Sequence, residues 1–141
     1  MIKEFVERWD KYKDDLRDYF KNNKQEEYPT YKDIVKALFE YVINKDEDHY
    51  DIENITVIDD GDYQGTLIFI LHKSAYQPNI EDYIYTNVYY GSCSYCDTLK
   101  GVQSWDLEEF PNSDQVNSYM TLALHILQKC HFMYDYNEEE D

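Results

Sequence analysis

From residue 2 to residue 42 the apolar side chains recur every three or four positions, and from residue 52 to residue 90 they fall into extended, alternating runs. This change of period decides what the chain can fold into. Ile2, Phe5, Trp9, Tyr12, Leu16 and Tyr19 share one helix face while Lys, Arg, Glu and Asp fill the gaps, which predicts an amphipathic helix over roughly residues 2–21. Asn22, Asn23 and Lys24 break that pattern. Pro29 and Thr30 open a second one, with Asp33 three residues after Thr30 in a capping-box arrangement that uses Asp for the usual Glu. The second helix, over roughly 31–44, carries Ile34, Leu38, Tyr41 and Val42, widened by Val35 and Phe39. Such a stripe can pack on the first helix and on a sheet, so the first 45 residues read as a helical hairpin.

Ile52 to Ile58 alternates β-branched with polar residues, Asp59-Asp60-Gly61-Asp62 supplies turn chemistry, and Tyr63 to Leu71 is extended again, which predicts a β-hairpin. Tyr83 to Tyr90 follows a loop containing Pro78 and Asn79 and suits a third antiparallel strand. Residues 91–111 read as irregular with one short helical turn. Asn112 and Gln115 then introduce Val116, Met120, Ala123, Leu124 and Leu127 at helical spacing, which predicts a last helix over roughly 114–133. No strand is followed directly by a long crossover helix. The expected fold class is therefore α+β, with an N-terminal helical hairpin, a three- to four-stranded antiparallel meander and a C-terminal helix. A length of 141 residues, 43 % of them apolar, suits one domain with a real core, here expected over 1–134 with an acidic flexible tail at 135–141.

The charge is unevenly placed. Residues 1–45 hold ten acidic and ten basic side chains, so the net charge of −17 arises entirely after them, where twenty acids face three bases. A surface so negative argues against direct binding to nucleic acid or an anionic membrane. A globule of this length spans on the order of 35 Å, over which duplex DNA presents ~20 phosphate charges, so the two charge densities are comparable. The acids form groups: Asp46, Glu47, Asp48, Asp51 and Glu53; Asp59, Asp60 and Asp62; Asp106, Glu108 and Glu109; and the tail. The chain also holds sixteen tyrosines, several adjacent to an acid, as in Asp62-Tyr63. Carboxylates that stand in for phosphates, beside rings on which Arg can stack, suit the basic groove of a nucleic-acid-binding protein. The expected partner-binding residues are these three internal groups together with Tyr63. Solubility alone is the other reading of the same acidity.

Cys93-Ser94-Tyr95-Cys96 follows the third strand and has two chemical meanings. Half of a zinc site needs two more ligands, for which His125, Cys130 and His131 stand nearest and His49 and His72 further off. Cys130 lies on the apolar stripe of the last helix and reads as a core thiol instead. Thioredoxin-like redox chemistry needs a stabilised thiolate, which Asp97 beside Cys96 opposes. The favoured reading is structural: Gly91, Ser92 and Ser94 let the chain turn at the strand end with both cysteines in the core. Asp59-Asp60-Gly61-Asp62 lacks the spacing of a calcium loop, and no phosphate loop, nucleophile elbow or zinc-protease motif is present. The reading is of a non-enzyme that needs no cofactor. The charged start and the lack of a long apolar run point to a cytoplasmic protein that does not enter membranes.

The combination Ile58-Asp59-Asp60-Gly61-Asp62-Tyr63-Gln64-Gly65-Thr66 with Val88-Tyr89-Tyr90-Gly91-Ser92-Cys93-Ser94-Tyr95-Cys96-Asp97-Thr98-Leu99 resembles small acidic proteins of bacteriophages and mobile elements, over residues 52–100. The resemblance implies no catalytic residues. It implies a context, in which such proteins inhibit host defence or host DNA-processing machinery. The expected function is thus an anti-CRISPR-like or anti-restriction-like inhibitor that occludes a basic surface of a host protein. The alternatives are a zinc or thiol protein using Cys93 and Cys96, and an acidic dimerisation module. A homodimer would use the N-terminal helices.

Overall fold

The computed structural model describes residues 2–46, 49–61, 64–92 and 97–134. Helix α1 spans Lys3–Asn22 and buries Phe5, Trp9, Leu16 and Phe20 from the predicted stripe and its neighbours. Helix α2, Tyr31–Tyr41, begins at the capping box read from the sequence, since Thr30 accepts from the Asp33 backbone and Asp33 accepts from the Thr30 backbone. It ends three residues early, and Ile43–Lys45 continue as a 3₁₀ turn.

The sheet is the predicted antiparallel meander, with four strands in the order β1-β2-β3-β4: Thr56–Asp59, Gly65–His72, Tyr83–Tyr90 and His131–Phe132. β1 starts later than the alternation suggested. Asp51 accepts from the Glu53 backbone and from the Asn54 amide, and this Asx turn lifts residues 52–54 out of the ladder. Tyr50 still pairs with Lys73, so the excursion is local. Helix α3 is the short turn Thr98–Val102, and α4 runs Ser113–Gln128. The expectation that α4 reaches residue 133 is corrected: its end is set by tertiary pairing, because Ile84 and Tyr85 of β3 take Phe132 and His131 as a fourth strand.

All helices contribute to one core with the inner face of the sheet, where Phe69, Leu71, Ile84, Thr86 and Val88 are buried. Thr86 donates to the Ile126 carbonyl (2.7 Å) and ties β3 to α4. α1 packs on both α2 and α4, so most of its apolar stripe is buried within the chain, with Tyr12 and Tyr19 half-buried. Cys130 is a fully buried core thiol, as its place on the stripe suggested. The other sheet face, with Ile58, Ile68, Ile70, Tyr85 and Tyr89, has no buried residue. Among the described residues no helix is long and apolar enough to cross a membrane.

Candidate functional site

The acidic groups of the sequence divide in the fold according to what each carboxylate touches. Asp46 is drawn back to α1, where it accepts from the Tyr12 hydroxyl (2.8 Å) and lies 3.7 Å from both Arg8 Nε and Lys11 Nζ. Its charge thus faces cations from the charge-balanced half of the chain. Asp51 shapes its own turn, and the Asn54 amide first, with the Glu53 N–H, holds its carboxyl below the usual range. Asp59 accepts from Tyr90 (2.6 Å) and from the Gly61 N–H, which also lower its pKa, the tyrosine first. Asp60 accepts from the Thr66 N–H (2.7 Å). These three carboxylates brace the backbone around β1. Glu47, Asp48, Asp62, Tyr63, Cys93, Cys96 and the tail 135–141 lie outside the described residues.

Glu53 is exposed and meets acids from the other half of the chain. It lines a concavity with Glu27, Asp33 and Glu40 around Lys36, against Tyr19. Burial raises the pKa of the Tyr19 hydroxyl, and the charges of Glu27, Glu40 and Asp33 raise it further.

The third predicted group, Asp106, Glu108 and Glu109, acquires partners that the linear sequence did not show. The 3₁₀ turn Gln25–Glu27 docks on the 104–110 loop through Gln25 N–H to the Glu109 carbonyl (3.1 Å) and Glu26 N–H to the Leu107 carbonyl (2.7 Å). Glu26 therefore joins Asp106, Glu108 and Glu109 on one ridge, while Glu27 lines the concavity with Glu53. All four side chains are exposed, and among the described residues none forms an ion pair. Trp105 stands fully exposed on this ridge, and Phe110 is 55 % exposed at its far end.

The pin beneath the ridge is Gln25. Its amide donates to Ser104 Oγ (2.7 Å) and to the Glu109 carbonyl, and its Oε1 accepts from the Ser104 N–H and the Tyr119 hydroxyl (2.7 Å). Sequence reasoning missed Gln25, Glu26, Trp105 and Phe110. The available signal was Trp105 itself, a tryptophan in an irregular acidic segment with no apolar periodicity to bury it.

A groove of about 660 Å³ opens elsewhere, between the start of α2, the inner face of β1 to β3, and α3. Val57, Leu67, Phe69 and Leu99 line it, with Lys32 and Lys100 beside them. Asp97 is buried at its base as the N-cap of α3, where it accepts from Tyr31 (2.7 Å), the Gly91 N–H and the Lys100 N–H. Asp97 is thus a structural group holding the segment after β3 to α2. Among the described residues no cluster of three His, Cys, Asp or Glu is placed to hold a metal ion. Comparison with family models, curated proteins and solved structures finds no match to the chain.

Proposed function

We propose that this chain is a non-enzymatic binding protein that presents the Trp105 ridge to a basic nucleic-acid-binding groove of another protein and blocks it. The observation that supports this reading is the ridge itself, four exposed carboxylates without an ion pair on the same loop pair as a fully exposed tryptophan. Solubility accounts for the carboxylates but not for the ring, because an exposed indole gives up favourable burial without adding charge. A groove built for phosphates supplies both complements, cations for the carboxylates and Arg guanidinium planes for the indole. Trp is also the residue type most often found to dominate binding energy at interfaces. The partner we propose is a protein of host defence or DNA processing, such as a CRISPR effector or restriction enzyme, in the host cytoplasm, the context that a resemblance to phage proteins implies.

The test is affinity purification from candidate host lysate at 0.1 M salt, using the parent and the variant Trp105→Ala/Asp106→Asn/Glu108→Gln/Glu109→Gln. The parent is expected to retain a nucleic-acid-binding protein that added duplex DNA or RNA displaces, and the variant to lose it by tenfold or more. Equal retention by the variant, or a partner that holds DNA and this chain together, removes the decoy reading and leaves the acidity to solubility.

A further inference from the structure

The outer face of the sheet stands apart electrostatically. Eleven strand positions point outward from it, as the registers Thr56↔Ile70, Ile58↔Ile68, Ile70↔Tyr85 and Tyr85↔His131 define, and none is Asp, Glu, Lys or Arg. Protein surfaces are ordinarily about 25–35 % charged residues, so a surface of this size would be expected to carry about three. The chain has a net charge of −17, which makes their absence here more telling. In place of charge the face carries Ile58, Ile68, Ile70, Tyr85 and Tyr89 among uncharged polar residues such as Thr66 and Asn87, with Ile58 45 % and Tyr89 52 % exposed.

We propose that this face binds a second copy of the chain, sheet against sheet, about a two-fold axis. Charge selects the occupant. A basic partner would bring its cations to a face without carboxylates, although carboxylates are plentiful elsewhere on the molecule, and its desolvation would go uncompensated. Two copies at −17 each meet the opposite problem, and a charge-free face is where they approach with the fewest opposed carboxylates. An isologous contact satisfies both copies with the same residues. The face measures on the order of 400 Å², from strands ~4.8 Å apart and a rise of ~3.3 Å per residue. That is below the ~800 Å² per partner of a standard interface, so the dimer is weak and reversible. The proposal is independent of the decoy reading, which uses the ridge.

Sedimentation of the full chain between about 10 and 500 µM, in 0.05 M and in 0.5 M NaCl, tests it. The weight-average mass is expected to rise from 17.1 kDa toward twice that value, with association tightened about tenfold in the higher salt as the mutual repulsion is screened. Ile58→Glu and Tyr89→Glu place a carboxylate at exposed positions, so the fold should survive, as circular dichroism will check. Each should weaken association at least tenfold, while Trp105→Ala leaves it unchanged. A 17.1 kDa species throughout, a dimer indifferent to both face variants, or one that high salt dissolves would each overturn the proposal.

Discussion

Gln25 links stability to the proposed surface through one side chain. It is fully buried and hydrogen-bonded at both ends of its amide, with Tyr119 among its partners. Gln25→Leu keeps the approximate volume but strands the Tyr119 hydroxyl and the Ser104 N–H, each left in the interior at about 1–3 kcal/mol. Urea unfolding should show a loss of about 3 kcal/mol, and any partner bound through Trp105 should be lost with it. If stability is unchanged, water replaces the amide and the ridge is not held by this residue. The buried phenols make a second prediction. Burial pushes the hydroxyls of Tyr28, Tyr31 and Tyr119 well above their ordinary value of 10.0. Burial also pushes the Cys130 thiol up to about 12. The folded chain therefore keeps protons that the unfolded chain releases. Their contribution is complete below the unfolded values and is lost as pH climbs toward the folded ones, by about 1.4 kcal/mol per pH unit for each group. The urea midpoint should be flat from pH 7 to 8.5 and should fall steeply between pH 10 and 11, less steeply in Tyr119→Phe. A midpoint unchanged at pH 11 would mean that these hydroxyls ionise freely in the native state.

At the level of elements, the features that a sequence shows are those whose causes are local. The capping box of α2 needs only Thr30 and Asp33, and both the residues and the geometry are as the spacing implied. Thr30→Ala should lower stability by about 1 kcal/mol in thermal or urea unfolding, and no change would mean that water caps the helix equally well. The β1–β2 turn is more demanding. A methyl on Gly61 would stand 2.0 Å from the Gln64 carbonyl oxygen, and one on Gly65 would stand 2.8 Å from Gly61 Cα, so the two backbones touch where no side chain fits. Gly61→Ala should therefore cost more than the lost cap, about 2 kcal/mol or more. Features caused by distant residues were not legible in this way. β4 exists because β3 offers an edge to Phe132, and a helical reading of 129–133 is reasonable until that edge is known. Asp46 looks like its acidic neighbours until α1 brings Arg8 and Lys11 to it. The acids of the ridge could be read as a group, but their union with Glu26 depends on backbone bonds between segments some eighty residues apart in the chain.

Over the whole molecule, a net charge of −17 couples three properties to ionic strength, and with different signs. Self-repulsion opposes the compact state, so added salt should stabilise the fold. The proposed sheet-to-sheet dimer should tighten for the same reason, while recognition of a basic groove by the ridge should weaken, because there the charges attract. Specific native ion pairs would oppose the first trend, but those of Lys11 with Asp46 and of Lys45 with Asp15 are long, at 3.7 Å, and solvent-exposed, so each contributes little, which leaves Arg8 with Asp46 as the pair with a buried cation. Repulsion should therefore prevail. The most local instance is the concavity where Glu53 meets Glu27, Asp33 and Glu40 around Lys36. Raising NaCl from 0.01 M to 1 M shortens the Debye length from ~30 Å to ~3 Å, which removes most interaction between exposed charges. The melting temperature of the parent should rise by several degrees over that range, roughly the effect of 1 kcal/mol in a domain of this size. Glu53→Gln should melt higher than the parent at 0.01 M NaCl, and the gap should close at 1 M. If it persists at 1 M, the gain comes from packing or helix preference rather than from charge. If the parent melts lower in high salt, favourable pairs outweigh repulsion across the surface, and the acids are more fully compensated than their distances to Lys and Arg indicate.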